Sequence, residues 1–415
     1  MKQQDLQTKV LAAALTEPFD SDSSSKPLAI RYLASKLEQL GVSRVRLVAE
    51  SGHCWTIGRV DHNVAVPVIT LHNKRALARG WFGGLMGWAE GFMAGDWSCS
   101  RLLDVTDWAM ANEAAFESAF DGGRISALLN RLYHLSHNNS RRGSRRNIAF
   151  HYDLGNEFYR LWLDPSMTYS SALFSHTDQS LAAAQQHKYQ RVLELIAPEP
   201  QQSVLEIGCG WGGFGEALLG QSNADWYGVT LSKEQLAWTQ SRLGVFAERA
   251  SARLTDYRDL EQRYDHIVSI EMLEAVGEAN WPTYFNKIKT LLKPGGRAVI
   301  QVITIADERF ESYRKGADFI QRYIFPGGML PSPAAMREQI AAAGLTLIHE
   351  EGFGADYART LSLWSQAFEQ AWPQIETLGF DERFYRMWNY YLAYCESGFK
   401  TGAIDVRFYQ LSTDC

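Results

Sequence analysis

From about residue 180 onward the apolar positions alternate between two periods. LAAAQQHKYQRVLELI repeats its apolar residues at spacings of three and four, which predicts an amphipathic helix. SVLEIG, DWYGVT, YDHIVSI and RAVIQVITI are short apolar runs that read as buried strands, and RLTDYR reads as the end of another. Between them GGFGEALLG, SKEQLAWTQSRL with Ser232 as its cap, and NWPTYFNKIKTLL read as helices, and PGG at 294–296 as a turn. Such βα alternation predicts a doubly wound sheet with ligands at the carboxyl ends of its strands.

The first 130 residues have a different texture. VRLVAESG, HCWTIGR and AVPVITLHN are β-rich, short helical stretches lie among them, and the glycine-rich WFGGLMGWAEGFMAGDW follows. This predicts a smaller α+β domain over 1–130. RLYHLSHNNSRRGSRRN at 131–147 carries five arginines, two histidines and no acid, and reads as a linker. Its charge is either a solvated run or an attraction for anionic headgroups. The larger α/β domain then occupies 148–415.

Composition narrows the class without choosing a function. The 415 residues exceed one ordinary core, and 46% hydrophobic with 21% charged residues is usual for a soluble globular protein. A net charge of −6 leaves no overall footprint for nucleic acid. Cys54, Cys99, Cys209, Cys395 and Cys415 lack metal or disulfide spacing. The amino terminus does not read as a signal peptide, and no apolar run is long enough to span a membrane, so the expected location is the cytoplasm. The aromatic share of 12% suits a core, and also a long apolar ligand.

In LEIGCGWGGF, Gly208, Gly210, Gly212 and Gly213 lie between a strand and its helix, where free N–H groups and missing Cβ atoms admit a ligand. A dinucleotide would want GxGxxG and an acid at the end of the second strand, and Thr230 stands there instead. Glu206 before the glycines and Asp256 after the third strand suit S-adenosylmethionine better. Glu206 and the glycine loop would hold its amino-acid end, the tip of the second strand its ribose, and Asp256 with Tyr257 its adenine.

SIEMLEAVG places Glu271 and Glu274 just after a strand. Three positions apart, they would share one side of a turn if the chain becomes helical there. They read as an acid/base pair, a metal site or a solvated helix start. A metal would want an ExxH partner, and Ala275 and Gly277 offer none, so no metal is expected.

HYDLGNEFYRLWLDPSMTYSSALF, VLEIGCGWGGF, GVTLSKEQ, LEAVG, RYIFPGGMLPS, GFGADY and FYRMWNYYLAYCESGF occur in one order, and together they resemble the cyclopropane fatty acid synthase family, from about residue 80 to the end. That resemblance implies a Rossmann-like class I methyltransferase sheet. It also implies methylation, from S-adenosylmethionine, of cis double bonds in the acyl chains of membrane phospholipids. Carried over motif by motif, Tyr169, Ser170, Gly208, Gly210, Thr230, Gln235 and Tyr257 would touch the cofactor, with Ile270 bordering the adenosine. The family's base is a bicarbonate ion, and Glu274, Tyr357 and Ile305 match residues that hold it.

Other positions depart from that pattern. Ser171 replaces a cysteine whose backbone N–H would still serve, Ile303 replaces a histidine and so removes a donor, and Glu271 replaces a glycine. Either Glu274 still positions an ion or a water, or Glu271 joins it as a carboxylate base. EMLEAV and VITI, together with GFDERFYRMWNYYLAY, resemble the branch of the family that forms methylene groups.

The chemistry needs a carbocation held among aromatic faces and a base to take its proton. Tyr169, Phe174, Tyr357, Tyr390, Tyr391, Tyr394 and Phe399 are candidates for those faces. Cys395 matches a family cysteine and reads as lining the acyl pocket ahead of a catalytic thiol. The implied partner is a phospholipid bilayer met at its inner face. Family members are often dimers, so a homodimer is an expectation too. The rival readings are a methyltransferase for a small soluble acceptor and a lipid-binding homologue without turnover.

Overall fold

The computed structural model describes residues 28–120 and 154–413. The chain divides into two compact units, Met1–Ile125 with Phe380–Ser397, and Ser126–Gly379 with Gly398–Cys415. The arginine-rich 131–147 lies outside the described residues.

The first unit is built on a four-stranded sheet. Its strands are β1 (Val45–Ala49), β2 (Cys54–Ile57), β3 (Val68–Leu71) and β4 (Trp97–Cys99), in the order β2-β1-β3-β4. β1 pairs antiparallel with β2 and parallel with β3. Alternate residues Val45, Leu47, Trp55, Ile57, Ile69 and Leu71 point into a core completed by Trp97, Trp108 and Phe116. The three β-rich segments of the sequence are these first three strands. Residues 380–397, which the sequence assigns to the larger domain, belong here instead. Tyr390 packs on Phe92 with ring centroids 6.1 Å apart, and Ser397 Oγ lies 2.7 Å from Thr106 Oγ1. A long amphipathic helix does not record in its own pattern which body it covers.

Among its described residues the second unit contains seven strands: β5 (Ser203–Ile207), β6 (Asp225–Thr230), β7 (Ala250–Leu254), β8 (Tyr264–Ile270), β9 (Leu292–Ile305), β10 (Thr346–Gly352) and β11 (Ile404–Ser412). Their order is β10-β11-β9-β8-β5-β6-β7. Only β11 runs against its neighbours, and the other contacts along the sheet are parallel. This is the expected class I methyltransferase sheet. The order reverses direction at β5, so a crevice opens beyond its carboxyl end. β5 is buried along its whole length, as a strand covered on both faces must be.

Two local differences from the sequence reading bear on the site. β9 starts at Leu292, so the PGG segment lies within that strand's span, with Gly295 at φ +75°. After β8 the chain makes only a short 3-10 turn, Leu273–Ala275, and Glu271 precedes it at φ +48°. The two glutamates therefore do not share a helical face.

Candidate active site

The carboxyl edge of the sheet gathers the predicted residues. Tyr169, Ser170, Glu206, Gly208, Gly210, Thr230, Gln235, Asp256, Tyr257 and Ile270, all ten expected at the cofactor, line one cleft, and Glu271 lines it with them. Each arrives by the same logic. Glu206 is the fourth residue of β5, Thr230 ends β6, Ile270 ends β8, and the glycines form the turn from β5 into the helix Gly213–Gln221.

Gly208, Gly210 and Gly212 have φ of +81°, +51° and +81°, a region that L-residues with side chains avoid. Their surroundings differ. A Cβ on Gly208 would come within 2.9 Å of Met272 Cγ, whereas one on Gly210 would meet nothing within 4 Å. Gly208 makes room for protein, and Gly210 leaves room for a ligand.

Glu206 is buried and accepts a hydrogen bond of 2.9 Å from Trp226 Nε1. Burial pushes its carboxyl up to about 8, against the opposing pull of Trp226 and Lys188. A buried carboxyl at the mouth of the glycine turn fits a cationic amino group, which would favour its charged form. Thr230 Oγ1 donates to Gln235 Oε1 at 2.8 Å, which couples the strand tip to the next helix. Asp256 differs from a bare adenine acceptor. Arg258 Nε and Nη2 donate to its two oxygens at 2.9 and 2.6 Å, so any base contact shares an oxygen with that guanidinium.

The wall beside the cleft holds the acid pair. Glu271 Oε1 accepts from the Ser171 backbone N–H at 2.8 Å and from Gln301 Nε2 at 2.8 Å, and Oε2 accepts from Tyr357 OH at 2.7 Å. Burial raises its pKa, opposed by Tyr357, Ser171, Lys188 and Gln301. Glu274 Oε1 accepts from the Ile303 N–H at 2.6 Å, and its Oε2 is buried without a hydrogen-bond partner. Burial and then the charge of Glu271 push its carboxyl up to about 8. A solvated helix start would do neither, so that reading of the pair is excluded.

Two groups that the resemblance assigned to a bicarbonate ion, the Ser171 N–H and Tyr357 OH, thus bind the carboxylate of Glu271. The N–H of Ile305 donates to Pro331 O at 3.0 Å, and Ile303 offers no side-chain donor. These residues do not fit a separate bicarbonate as they stand.

The aromatic candidates separate. Tyr169 lies 5.2 Å from Trp364 between ring centroids, Tyr357 stacks on Phe399 at 4.4 Å, and Tyr357 meets Trp364 edge-on at 6.1 Å. Phe174 has the guanidinium of Arg359 over its ring at 3.8 Å, so that face is taken. Tyr390, Tyr391, Tyr394 and Cys395 lie in the segment that belongs to the first unit.

Sequence reading missed Trp364, Gln301 and Lys188. Lys188 carried a legible signal. With Ala184 and Val192 it falls at four-residue spacing on the buried stripe of the helix Leu181–Ile196, where a lysine is out of place. Among the described residues no three His, Cys, Asp or Glu side chains gather as a metal would require, and no helix is long and apolar enough to cross a membrane.

Residues 139–409 match the profile of the family described as mycolic acid cyclopropane synthetase. The chain is 38% identical to tuberculostearic acid methyltransferase UfaA1 of Mycobacterium tuberculosis, over 82% of each chain. It is 35% identical to the cyclopropane-fatty-acyl-phospholipid synthase of Escherichia coli K12, over 79% of this chain and 82% of that one. The solved structure of the cyclopropane synthase MmaA2 from Mycobacterium tuberculosis superposes with a TM-score of 0.60 at 31% identity, covering 64% of this chain and 97% of the other. The chain therefore belongs to the mycolic acid cyclopropane synthetase family and is an S-adenosylmethionine-dependent methyltransferase of the cyclopropane fatty acid synthase type.

Proposed function

We propose that the protein methylates the cis double bond of an unsaturated acyl chain in a membrane phospholipid, with Glu271 as the base that removes the proton from the resulting cation. The observation that carries this reading is the carboxylate of Glu271 at the cleft wall, held by three neutral donors.

Bound S-adenosylmethionine supplies an electrophilic methyl group on a sulfonium. Glu206 and the turn through Gly210 hold its amino-acid end, Thr230 and Gln235 its ribose side, and Asp256, Tyr257 and Ile270 border its base. An alkene is a weak nucleophile, so holding the double bond in line with the methyl is the main catalytic contribution. Tyr169 lines the cleft with Trp364 against it, and Tyr357 stacks on Phe399 beside the Glu271 carboxylate; an aromatic face turned to the cation contributes about 0.5–2 kcal/mol where water is excluded.

The new C–C bond leaves a cation on the neighbouring carbon. Loss of a proton from the new methyl closes a cyclopropane, and a hydride shift followed by that loss leaves a methylene branch. In either case Glu271 accepts the proton on a carboxylate oxygen and becomes neutral. Its carboxylate stands in for the bicarbonate of the family, and the EMLEAV and VITI variants favour the methylene outcome. A substrate embedded in a bilayer implies action at the inner face of the membrane, from the cytoplasm, and the family's dimers make a homodimer the expected assembly.

The test is incubation of the pure protein with S-adenosylmethionine and dioleoyl phospholipid vesicles, followed by mass spectrometry of the acyl chains. A gain of one carbon as a ring or a methylene group is expected. Methylation of small soluble amines or alcohols with unchanged lipid would overturn the reading, as would cofactor binding with no transfer.

A further inference from the structure

Lys188 is fully buried, and the proposed chemistry leaves it unused. Its Nζ donates to Ser170 Oγ at 2.7 Å and lies 4.5 Å from the centre of the Tyr189 ring. The acidic groups that act on it are Glu271, Asp164 and Glu206, in that order of strength. Asp164 is already occupied by the N–H and hydroxyl of Ser166 and the N–H of Thr168. Trp226 holds Glu206. The hydrogen-bond donors on all three carboxyls are neutral, and Glu271 is the one that acts most strongly on Lys188.

A dry ammonium with one hydroxyl partner is unfavourable unless nearby carboxylates compensate it, and an apolar side chain of the same length would fill the space without that penalty. Packing therefore does not account for a lysine here. Its neighbours do. Ser170 takes the ammonium on its hydroxyl and Gln185 Nε2 on its carbonyl at 2.9 Å, and the next residue's N–H binds Glu271.

We propose that Lys188 is a positioning residue of the methyl transfer: its bond to Ser170 fixes the backbone whose next N–H holds the carboxylate of Glu271, and its buried ammonium favours that carboxylate as the anion that takes the proton. The inference rests on Glu271 being the base. Burial drives the carboxyl of Glu271 towards its neutral form and the ammonium of Lys188 down to about 8, and each charge favours the other. Below that pH the lysine is a cation fixed in the protein wall, present whether or not a ligand brings charge of its own.

The experiment compares wild type, Lys188→Met and Glu271→Gln as full-length proteins, following kcat against pH with saturating S-adenosylmethionine and dioleoyl phospholipid vesicles. Removing the cation raises the pKa of Glu271, so the acid limb of Lys188→Met should move to higher pH by about one unit or more. On that limb, turnover falls tenfold for each unit moved. If Glu271→Gln turns over like wild type, the base assignment fails and this inference goes with it. If Glu271→Gln is inactive while Lys188→Met keeps the wild-type acid limb, the role of Lys188 alone is overturned. Should Lys188→Met not fold, infrared difference spectra of wild type against Glu271→Gln, with S-adenosylhomocysteine bound, decide the matter. At pH 7 no protonated-carboxyl band from Glu271 is expected, and such a band would sink the inference.

Discussion

The backbone N–H of Ser171 donates to Oε1 of Glu271 at 2.8 Å, joining the turn after Tyr169 to the end of β8. With Tyr357 on the other oxygen, the carboxylate is oriented and partly neutralised without losing its capacity to accept a proton. Glu271→Gln keeps the shape and removes the base. General-base catalysis contributes about a hundredfold or more, so turnover should drop by at least that much in the vesicle assay. Calorimetry with S-adenosylhomocysteine should show affinity within a few-fold of wild type.

Glu271 sits at φ +48°, a conformation natural to glycine. The family pattern has glycine at this position, so Glu271→Gly restores a residue that the backbone already suits while emptying the space between Ser171 and Tyr357. The variant should be folded and nearly inactive, and added bicarbonate should restore part of its turnover in a concentration-dependent way. Bicarbonate should leave Glu271→Gln inactive, because its amide still fills that space. Equal responses in the two variants would count against the idea that the side chain replaces the ion.

Much of this was legible in the sequence, for identifiable reasons. Ser203–Ile207, Asp225–Thr230 and Tyr264–Ile270 announce themselves because parallel strands covered on both faces are continuous apolar runs. The loops that follow them carry the chemistry, so Glu206, Gly210, Thr230 and Ile270 could be placed at one edge. β10 and β11 were not recognised. They are an antiparallel pair, and Ile404–Ser412 alternates polar and apolar residues only in its first half before ending in a buried run. The partners of Glu271 were beyond reach for a different reason. Gln301, Ser171 and Tyr357 are 30, 100 and 86 residues away, and which donor meets which oxygen depends on register and on one left-handed residue.

Tyr357→Phe removes the hydroxyl that donates to Oε2 of Glu271 and keeps the ring against Phe399. A hydrogen bond to a charged group contributes about 1.5–3 kcal/mol. Because the hydroxyl favours the ionised carboxylate, its loss raises the pKa of Glu271. Activity should therefore fall most on the acid side, with the limb of the kcat profile displaced to higher pH. A uniform loss at every pH would assign the hydroxyl to substrate binding instead.

Gly210→Ala tests the cofactor cleft independently of the base. Its Cβ meets no protein atom within 4 Å, so the fold should tolerate it at the cost of a left-handed alanine, about 1–2 kcal/mol. The methyl group projects where the cofactor's backbone approach is expected. Affinity for S-adenosylhomocysteine should fall tenfold or more by calorimetry, while the melting temperature drops by only a few degrees. Unchanged affinity would move the cofactor away from this turn.

Glu274 ties the site to stability. In the unfolded chain its carboxyl ionises near its ordinary value of 4.5, and in the fold near about 8, because burial and the charge of Glu271 both disfavour the anion. Between those values the folded state holds a proton that the unfolded state has released. The contribution is therefore full below pH 4.5 and is lost as pH rises towards 8. Glu274→Gln keeps a neutral group of the same shape and cannot titrate. The melting temperature of the variant relative to wild type should accordingly increase from pH 5 to pH 8. The other buried acids, Glu206 among them, are present in both proteins and largely cancel in the comparison. Scanning calorimetry of the two proteins at matched ionic strength measures the difference. Parallel curves across that window would mean that Glu274 ionises as readily in the fold as in the unfolded chain, and so is not the neutral member of the pair.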